Sequence, residues 1–178
     1  MTISVLAPAK LNLGLEITGK RPDGYHDLKT VFCAVSVFDR VRIDNDGTFP
    51  PLASTDLAER ARQAFGGSAG IAVQKRIPVA AGLGGGSSDA AAVLRGLDRL
   101  APGQDLQSLA LSLGSDVPFL LRGGISIGAG RGDLLDPLPF RPLWFVLLTF
   151  DHRLEDKTRA MFAALEPGDF SDGAAIAQ

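Results

Sequence analysis

The amino-acid sequence predicts an α+β fold, and three observations carry that prediction. Residues 1–45 contain four short apolar or alternating segments of the kind that form strands. Two later segments, residues 90–101 and 106–113, instead repeat apolar side chains at the spacing of an amphipathic helix. Strands and helices therefore do not alternate strictly along the chain, which favours an α+β class over repeated βαβ units.

The first part of the chain is predicted to be mostly strand, followed by one helix. A loop at residues 19–26 contains one proline and two glycines, which indicates a turn-rich excursion between strands. Asp56 and Glu59 have the spacing of a helix-capping pair, and they open a helix over 56–65 that Gly66 ends. The four predicted strands cover residues 3–7, 11–18, 31–38 and 41–43.

The middle of the chain is predicted to hold a strand, a glycine-rich loop and two helices. Residues 71–75 form the strand, and the loop leads directly into the helix that contains residues 90–101. Asp105 is placed to cap the second helix, and Gly114 stands where that helix should end.

The C-terminal part is predicted to begin a second domain. Three prolines, Pro137, Pro139 and Pro142, should interrupt regular structure, so the chain divides into domains at residues 1–140 and 141–178. The apolar spacing of the last five residues resembles a helix still in progress, which predicts that the natural chain continues. The elements expected here are short strands at 124–127 and 134–135, a buried strand at 143–149 and a helix at 157–165.

The composition is that of an ordinary globular chain. Hydrophobic residues make up 46% and charged residues 21%, which excludes disordered, collagen-like and disulfide-rich classes. A net charge of −2 gives no general attraction to nucleic acid or to an anionic membrane, and neither is expected as a partner. Cys33 is the only cysteine, so no intrachain disulfide can form and a cytoplasmic location is expected.

The glycine-rich loop before the long helix has the ingredients of an anion-binding site. Glycines let backbone N–H groups converge on an anion, and the start of the helix adds the positive end of its dipole. A Walker A loop requires a Lys after its last glycine, and this loop has none. Ser87 stands where the dinucleotide-binding fingerprint has its third glycine, so both of these nucleotide-binding classes are disfavoured. The alternative is a flexible turn before a helix. The predicted anion-binding residues are Pro78, Val79, Ala80, Ala81, Gly82, Leu83, Gly84, Gly85, Gly86, Ser87 and Ser88.

A second glycine cluster, at residues 128–132, invites the same interpretation. No amphipathic helix follows it, so we expect a tight turn between two strands instead.

Two other segments place polar residues among apolar ones. Lys10 and Asn12 fall on one side of a predicted strand, with leucines on the other side. Asp116 follows the predicted helix end at Gly114, in a turn flanked by apolar residues. Taken alone, these segments are typical of a solvated strand face and of a helix cap or Asx turn.

Together these segments resemble the 4-diphosphocytidyl-2-C-methyl-D-erythritol kinases, a family of the GHMP kinase superfamily. The glycine loop by itself indicates only the superfamily. The segments at residues 8–13 and 21–26 narrow the resemblance to this family. The fold implied is the GHMP kinase N-terminal domain, ribosomal protein S5 domain 2-like, followed by the beginning of a ferredoxin-like C-terminal domain. The matching segments are PAKLNL at 8–13, RPDGYH at 21–26, PVAAGLGGGSSDAA at 78–91 and LGSDVPF at 113–119.

The resemblance implies transfer of a phosphoryl group from ATP, with Mg²⁺, to the 2-hydroxyl of 4-diphosphocytidyl-2-C-methyl-D-erythritol. This reaction belongs to the non-mevalonate route to isoprenoid precursors. Asp116 would be the catalytic carboxylate that accepts or orients the hydroxyl proton, and Lys10 would be its positively charged partner. The loop at 78–88 would hold the ATP phosphates, and Mg²⁺ would bridge those phosphates without a dedicated protein cage.

The resemblance also implies a site for the cytidine diphosphate group of that small-molecule substrate. Tyr25 would stack on the base, and His26 would read its edge by hydrogen bonds. Asn12 would contact the substrate. Phe162 matches an aromatic residue that closes the opposite side of the cytosine, although in isolation it is typical of a helix core.

The sequence departs from the family in two places. Asp56 stands where the family often has an Asn near the adenine pocket, and nothing after Phe150 resembles the late Thr-Gly-x-Gly motif of the superfamily. Two alternatives therefore stay open, a non-catalytic remnant that keeps a nucleotide-binding loop and another small-molecule kinase of the superfamily. We expect this chain to have intact site residues but weak activity. The sequence does not indicate an oligomeric state.

Overall fold

The computed structural model describes residues 1–149 and 157–176, with the side chains of 157–159 outside the description. The strands among these residues form one sheet, and its connections do not alternate strictly with helices, so the predicted α+β class is confirmed. The elements are β1 (Thr2–Lys20), β2 (His26–Asp44), α1 (Leu57–Phe65), β3 (Gly70–Gln74), α2 (Gly85–Leu100), α3 (Leu106–Leu113), α4 (Val117–Arg122), β4 (Ile125–Ala129), β5 (Leu134–Leu138), α5 (Lys157–Ala163) and a 3₁₀ turn (Pro167–Asp169). The sheet order is β1-β2-β4-β5, with β3 paired to β2.

The first two strands are longer than the sequence pattern predicts. The breaks expected at 8–10 and at 39–40 do not occur, since β1 and β2 are continuous hydrogen-bonded neighbours of 19 residues each. The loop predicted at 19–26 shrinks to a turn in which Arg21 N donates to Tyr25 O at 2.8 Å. A strand partner along the whole length therefore overrides the local interruptions in the pattern.

One compact unit comprises Met1–Leu11 and Ala34–Gly123. Its centre is the apolar face of α2, which packs against α1 and α4. Gly96 also lies on this face, where an added Cβ atom would clash with Ile43 Cδ1. The missing side chain lets the helix lie close to β2. The buried residues of the α2 face are Ala90, Ala91, Ala92, Val93, Leu94 and Leu97.

The first helix begins and ends as predicted, but its capping pair differs. Asp56 caps α1 by accepting from Ala58 N at 2.8 Å, and Gly66 ends the helix with φ 82°. Glu59 does not return to the cap, because its carboxylate accepts hydrogen bonds from Arg62 and Gln63.

A second compact unit comprises Asn12–Cys33 and Gly124–Gln178. Within it, β2 and β4 pair antiparallel from Thr30 opposite Gly128 to Cys33 opposite Ile125, and β4 pairs antiparallel with β5. Residues 130–133 form the tight turn predicted for the second glycine cluster. Further along, Ser171 N donates to Ile17 O at 2.9 Å, so the segment after the 3₁₀ turn lies against β1.

Three expectations for the C-terminal part are wrong. The apolar run at 143–149 is not a strand, and Trp144 is 97% exposed, because no strand among the described residues pairs with it. Pro137 lies inside β5, opposite Ser126, where the lost N–H of an edge-strand residue is tolerated. Residues 174–176 are not helical, since 175–176 form a turn, and residues 177–178 lie outside the described part.

The two compact units divide the chain differently from the linear boundary after residue 140. Each unit takes half of the β1–β2 pair, since both strands run through the two units. The division into residues 1–140 and 141–178 therefore stays a prediction.

Candidate functional site

The glycine-rich loop borders a cavity in the first unit. The cavity has a volume of about 560 Å³, and its wall also includes Lys75, Asp89 and the start of α1. Gly84 is the N-cap of α2, with φ 69°, so the loop ends where the helix dipole is positive. The predicted loop residues that line the cavity are Pro78, Val79, Ala80, Ala81, Gly82, Leu83, Gly84, Gly85, Gly86 and Ser87.

Two of these glycines are required by the close approach of lysine side chains. A Cβ atom on Gly84 would lie 2.9 Å from Lys10 Cγ, and one on Gly85 would lie 3.3 Å from Lys75 Nζ. Any larger residue would push against these lysines. The loop therefore has a cationic side chain packed against each of two successive glycines.

The structure corrects one residue of the predicted loop. Ser88 is fully buried, and its hydroxyl donates to Pro8 O at 2.6 Å, so its side chain joins α2 to β1 rather than facing the cavity. Its backbone N–H is also taken, since it donates to Gly84 O at 2.8 Å. Ser87 is the half-buried serine that lines the cavity.

Lys10 and Asp116 form an ion pair in the first unit. Lys10 Nζ lies 3.4 Å from Asp116 Oδ2, with the lysine side chain 10% and the aspartate side chain 33% exposed. The backbone N–H of Lys10 donates to Leu83 O at 2.9 Å, which ties β1 to the glycine loop. Asp116 precedes α4 but makes no side-chain cap hydrogen bond, so the helix-cap alternative does not account for its carboxylate.

A second charged cluster, formed by Asp39, Lys75 and Asp89, adjoins the same cavity through Lys75 and Asp89, and no motif in the sequence indicates it. Lys75 Nζ donates to Asp39 Oδ2 at 2.5 Å and to Asp89 Oδ2 at 2.6 Å. Burial alone would lower the pKa of Lys75, but the two carboxylates raise it above its ordinary value. The sequence feature that could have indicated this cluster is the position of Lys75 before the glycine loop and of Asp89 after it.

The two carboxylates of this cluster differ. Burial would raise the pKa of Asp39, but hydrogen bonds from Arg76 N, Lys75 and Ile77 N hold it below its usual range. Burial raises the pKa of Asp89 to about 7, against the opposing effect of Lys75. Asp89 Oδ1 is buried and has no hydrogen-bond partner within the described part of the chain. Asp39 is thus a stable anion, whereas Asp89 is poised to exchange a proton near neutral pH.

Aromatic side chains gather in the second unit, around His26. His26 is 8% exposed, and its ring centroid lies 5.2 Å from that of Phe162 and 6.1 Å from that of Phe170, whose ring is T-shaped to it. His26 Nε2 is buried with no hydrogen-bond partner among residues 1–149 and 157–176. Phe162 is half-buried and packs against His26, so its assignment to a base-binding site stays a prediction beside the core alternative. Phe170 was not found from the sequence, which offered no motif for it.

Tyr25 and Asn12 complete the predicted residues of the second unit. The Tyr25 ring is 53% exposed, and the Arg131 guanidinium lies 5.0 Å from its centroid. Asn12 Nδ2 donates to Thr30 Oγ1 at 2.8 Å, and that hydroxyl donates to Gly14 O at 2.6 Å. The side-chain nitrogen of Asn12 is therefore held in place by buried Thr30.

The described part of the chain contains no group of three or more His, Cys, Asp or Glu residues arranged to hold a metal ion. None of the helices in residues 1–149 and 157–176 has the length and apolar character needed to cross a bilayer.

The chain is similar to known kinases in sequence. Residues 53–124 match the GHMP kinases N terminal domain family. A 4-diphosphocytidyl-2-C-methyl-D-erythritol kinase of Synechocystis sp. is 43% identical over 176 residues, covering 85% of this chain and 56% of the relative. The enzyme of that name from Geobacillus thermodenitrificans is 37% identical, covering 96% of this chain and 72% of the relative. The chain thus spans little more than half of the Synechocystis protein.

Solved structures give the same result. A crystal structure of 4-(cytidine 5'-diphospho)-2C-methyl-D-erythritol kinase superposes with a TM-score of 0.76 at 39% identity, covering 95% of this chain and 66% of that one. A putative sugar kinase from Campylobacter jejuni gives a TM-score of 0.57 at 16% identity, and this likeness concerns the fold alone.

Proposed function

Because the chain belongs to the 4-diphosphocytidyl-2-C-methyl-D-erythritol kinase family, we propose that it transfers the γ-phosphoryl group of ATP to the 2-hydroxyl of that cytidine-linked substrate. The observation that carries the proposal is the Lys10–Asp116 ion pair beside the glycine loop. A loop that binds phosphates and a carboxylate that takes a proton are the two parts that such a transfer needs.

The first unit would bind the ATP phosphates. Gly82 and Gly84 have positive φ, and the N-terminus of α2 adds the positive end of a 16-residue helix. Lys75 uses two of its three ammonium donors on carboxylates, which leaves one for a phosphate oxygen. Mg²⁺, carried by the phosphates, would supply charge neutralisation when bound.

Asp116 would take or orient the proton of the acceptor hydroxyl. Its side chain is one-third exposed, so the carboxylate is accessible, and α4 fixes its backbone. Lys10 would hold that carboxylate in place through the 3.4 Å ion pair, and the hydrogen bond from its N–H to Leu83 ties it to the loop. Phosphoryl transfer relies mainly on positioning and charge neutralisation, so a carboxylate is a sufficient base.

The second unit would recognise the cytosine. The exposed ring of Tyr25 and the half-buried ring of Phe162 offer apolar faces, and the unpartnered Nε2 of His26 offers one hydrogen bond to a base edge. Asn12, held by Thr30, would contact the substrate. A kinase of the same superfamily whose acceptor carries no nucleobase would have no use for these groups.

The reaction is proposed as cytoplasmic, which fits a sequence with a single cysteine, Cys33, and therefore no intrachain disulfide.

The experiment is ADP formation from ATP, Mg²⁺ and 4-diphosphocytidyl-2-C-methyl-D-erythritol. Lys10→Met should abolish it, and Lys20→Met, an exposed lysine of the same strand, should leave it unchanged. Mevalonate in place of the cytidine substrate should give no ADP. Turnover of mevalonate would point to another kinase of the superfamily, and saturable ADP binding without any turnover would point to a non-catalytic remnant.

A further inference from the structure

The Asp39–Lys75–Asp89 cluster carries an unbalanced charge at the wall of the nucleotide cavity. Lys75 Nζ lies within 2.6 Å of both carboxylates, and with both ionised the three groups sum to one negative charge. The cavity beside them is the one in which the proposed function puts a polyphosphate. An anionic ligand there meets a negative cluster, and like charges at short range oppose binding.

Only one of the two carboxylates can relieve this repulsion without losing hydrogen bonds. Both oxygens of Asp39 are occupied, since Oδ1 accepts from the N–H groups of Arg76 and Ile77 while Oδ2 accepts from Lys75. Protonating Asp39 would weaken all of these hydrogen bonds. Asp89 uses Oδ2 alone, and its buried Oδ1 is free to carry a proton.

The charged groups around Asp89 favour the same choice. Asp39 from β2 and Lys75 from the segment after β3 are its ionic neighbours. On its own helix, Arg95 donates instead to the carbonyl groups of Leu6 and Leu120, and it does not neutralise Asp89. Lys10, on the other side of the loop, is paired with Asp116. Asp56 also lines the cavity and adds a further negative charge there.

We propose that Asp89 is a positioning residue of the nucleotide site: it holds Lys75 at the start of α2 and, where it is still ionised, takes up a proton from solvent when a polyphosphate enters the cavity. The cluster then changes from one net negative charge to neutral, and the remaining donor of Lys75 meets the phosphate without an opposing anion. A pKa of Asp89 already near 7 means that a small change in its surroundings suffices. This inference rests on the proposed function, because it requires a nucleotide in this cavity.

Calorimetry of ADP binding measures the proton directly. ADP is titrated into the protein at pH 7 with EDTA present, in buffers of different ionisation enthalpy, so that the slope of heat against ionisation enthalpy gives the protons taken up. Before ADP binds, the Asp89 carboxyl is roughly half protonated at this pH. On binding ADP, the wild-type protein should therefore gain at most about half a proton more than Asp89→Asn gains. Asp98→Asn, the same change further along α2, should match the wild type.

The outcomes separate this proposal from the proposed function. No saturable ADP binding by the wild-type protein would overturn the nucleotide site and the role of Asp89 together. Saturable binding with equal proton uptake by the wild-type and Asp89→Asn proteins would overturn the role of Asp89 alone. If Asp89→Asn does not fold, the ADP-induced infrared difference spectrum of the wild type decides, because a protonated carboxyl has a C=O band that ADP lacks. Absence of that band overturns the proposal.

Discussion

Replacement of Gly84 by Ala tests whether the close packing of the glycine loop on Lys10 contributes to nucleotide binding. Gly84 has φ 69°, and an added Cβ atom would lie 2.9 Å from Lys10 Cγ, 3.2 Å from Lys10 Cε and 3.4 Å from Leu120 Cδ1. A left-handed conformation costs an L-residue roughly 1–2 kcal/mol. Two of the three contacts are with the Lys10 side chain, so we expect the added methyl group to displace that side chain.

Gly66→Ala is the matched control for this substitution. Gly66 has a similar φ of 82°, and nothing lies within 4 Å of its added Cβ atom. In both variants the free energy of unfolding, measured in urea, should therefore fall by a similar amount of about 1–2 kcal/mol. Only Gly84→Ala should also weaken ADP binding, by about tenfold, which corresponds to about 1.4 kcal/mol.

Calorimetric titration with ADP measures the change in affinity. Urea unfolding, monitored by circular dichroism, measures the change in the free energy of unfolding. Equal ADP affinity in the two variants, at equal loss of stability, would show that the close packing of Gly84 on Lys10 has no part in binding the nucleotide.

Three further predictions follow from contacts in the two units. Gly96→Ala should lower the free energy of unfolding by roughly 1–3 kcal/mol through overpacking against Ile43, whereas Gly67→Ala, with 3.8 Å to its nearest neighbour, should change it little in the same urea titration. Asp89 has a folded pKa of about 7 against the ordinary value of 3.8, so its stabilising contribution is complete below the ordinary pKa and is lost as the pH rises through 7. The unfolding free energy of the wild type relative to Asp89→Asn should fall over that range, and a constant difference would contradict the raised pKa. Phe162→Ala should weaken binding of cytidine 5'-diphosphate but leave ADP binding unchanged; an equal loss of both, measured by calorimetry, would argue against a base site at His26.

The glycine loop and the helix after it could be predicted from the sequence because their signals are local. Glycines that need positive φ, and apolar side chains at helical spacing, lie next to each other in the chain. The family resemblance supplied the roles of Lys10 and Asp116, whose ion pair joins residues far apart in sequence. Pattern alone had favoured a strand face and a helix cap for these two residues.

The remaining features depend on partners that a single sequence does not show. Asp39 lies 36 residues before Lys75, in a strand whose pattern is apolar, so nothing local indicates their contact. The helix α4 has only six residues, too few for a periodic pattern. The apolar run at 143–149 was predicted as a buried strand, but a strand forms only where a neighbouring strand pairs with it.

The same reasoning explains the outcome at Ser88. Two adjacent serines after three glycines look alike in sequence, but they point in different directions from the first turn of a helix. Ser87 lines the cavity, whereas Ser88 reaches the Pro8 carbonyl in β1. Only the position of β1 decides which hydroxyl is available.

The most direct test of the central claim separates chemistry from binding at Asp116. ADP affinity and the rate of phosphorylated-product formation, followed by mass spectrometry in a single turnover, are measured for the wild-type and Asp116→Asn proteins. The role assigned to Asp116 predicts at least a 10²-fold slower transfer, the usual range for loss of a general base, with ADP affinity unchanged within twofold. Transfer at the wild-type rate by Asp116→Asn, with normal binding, would contradict it.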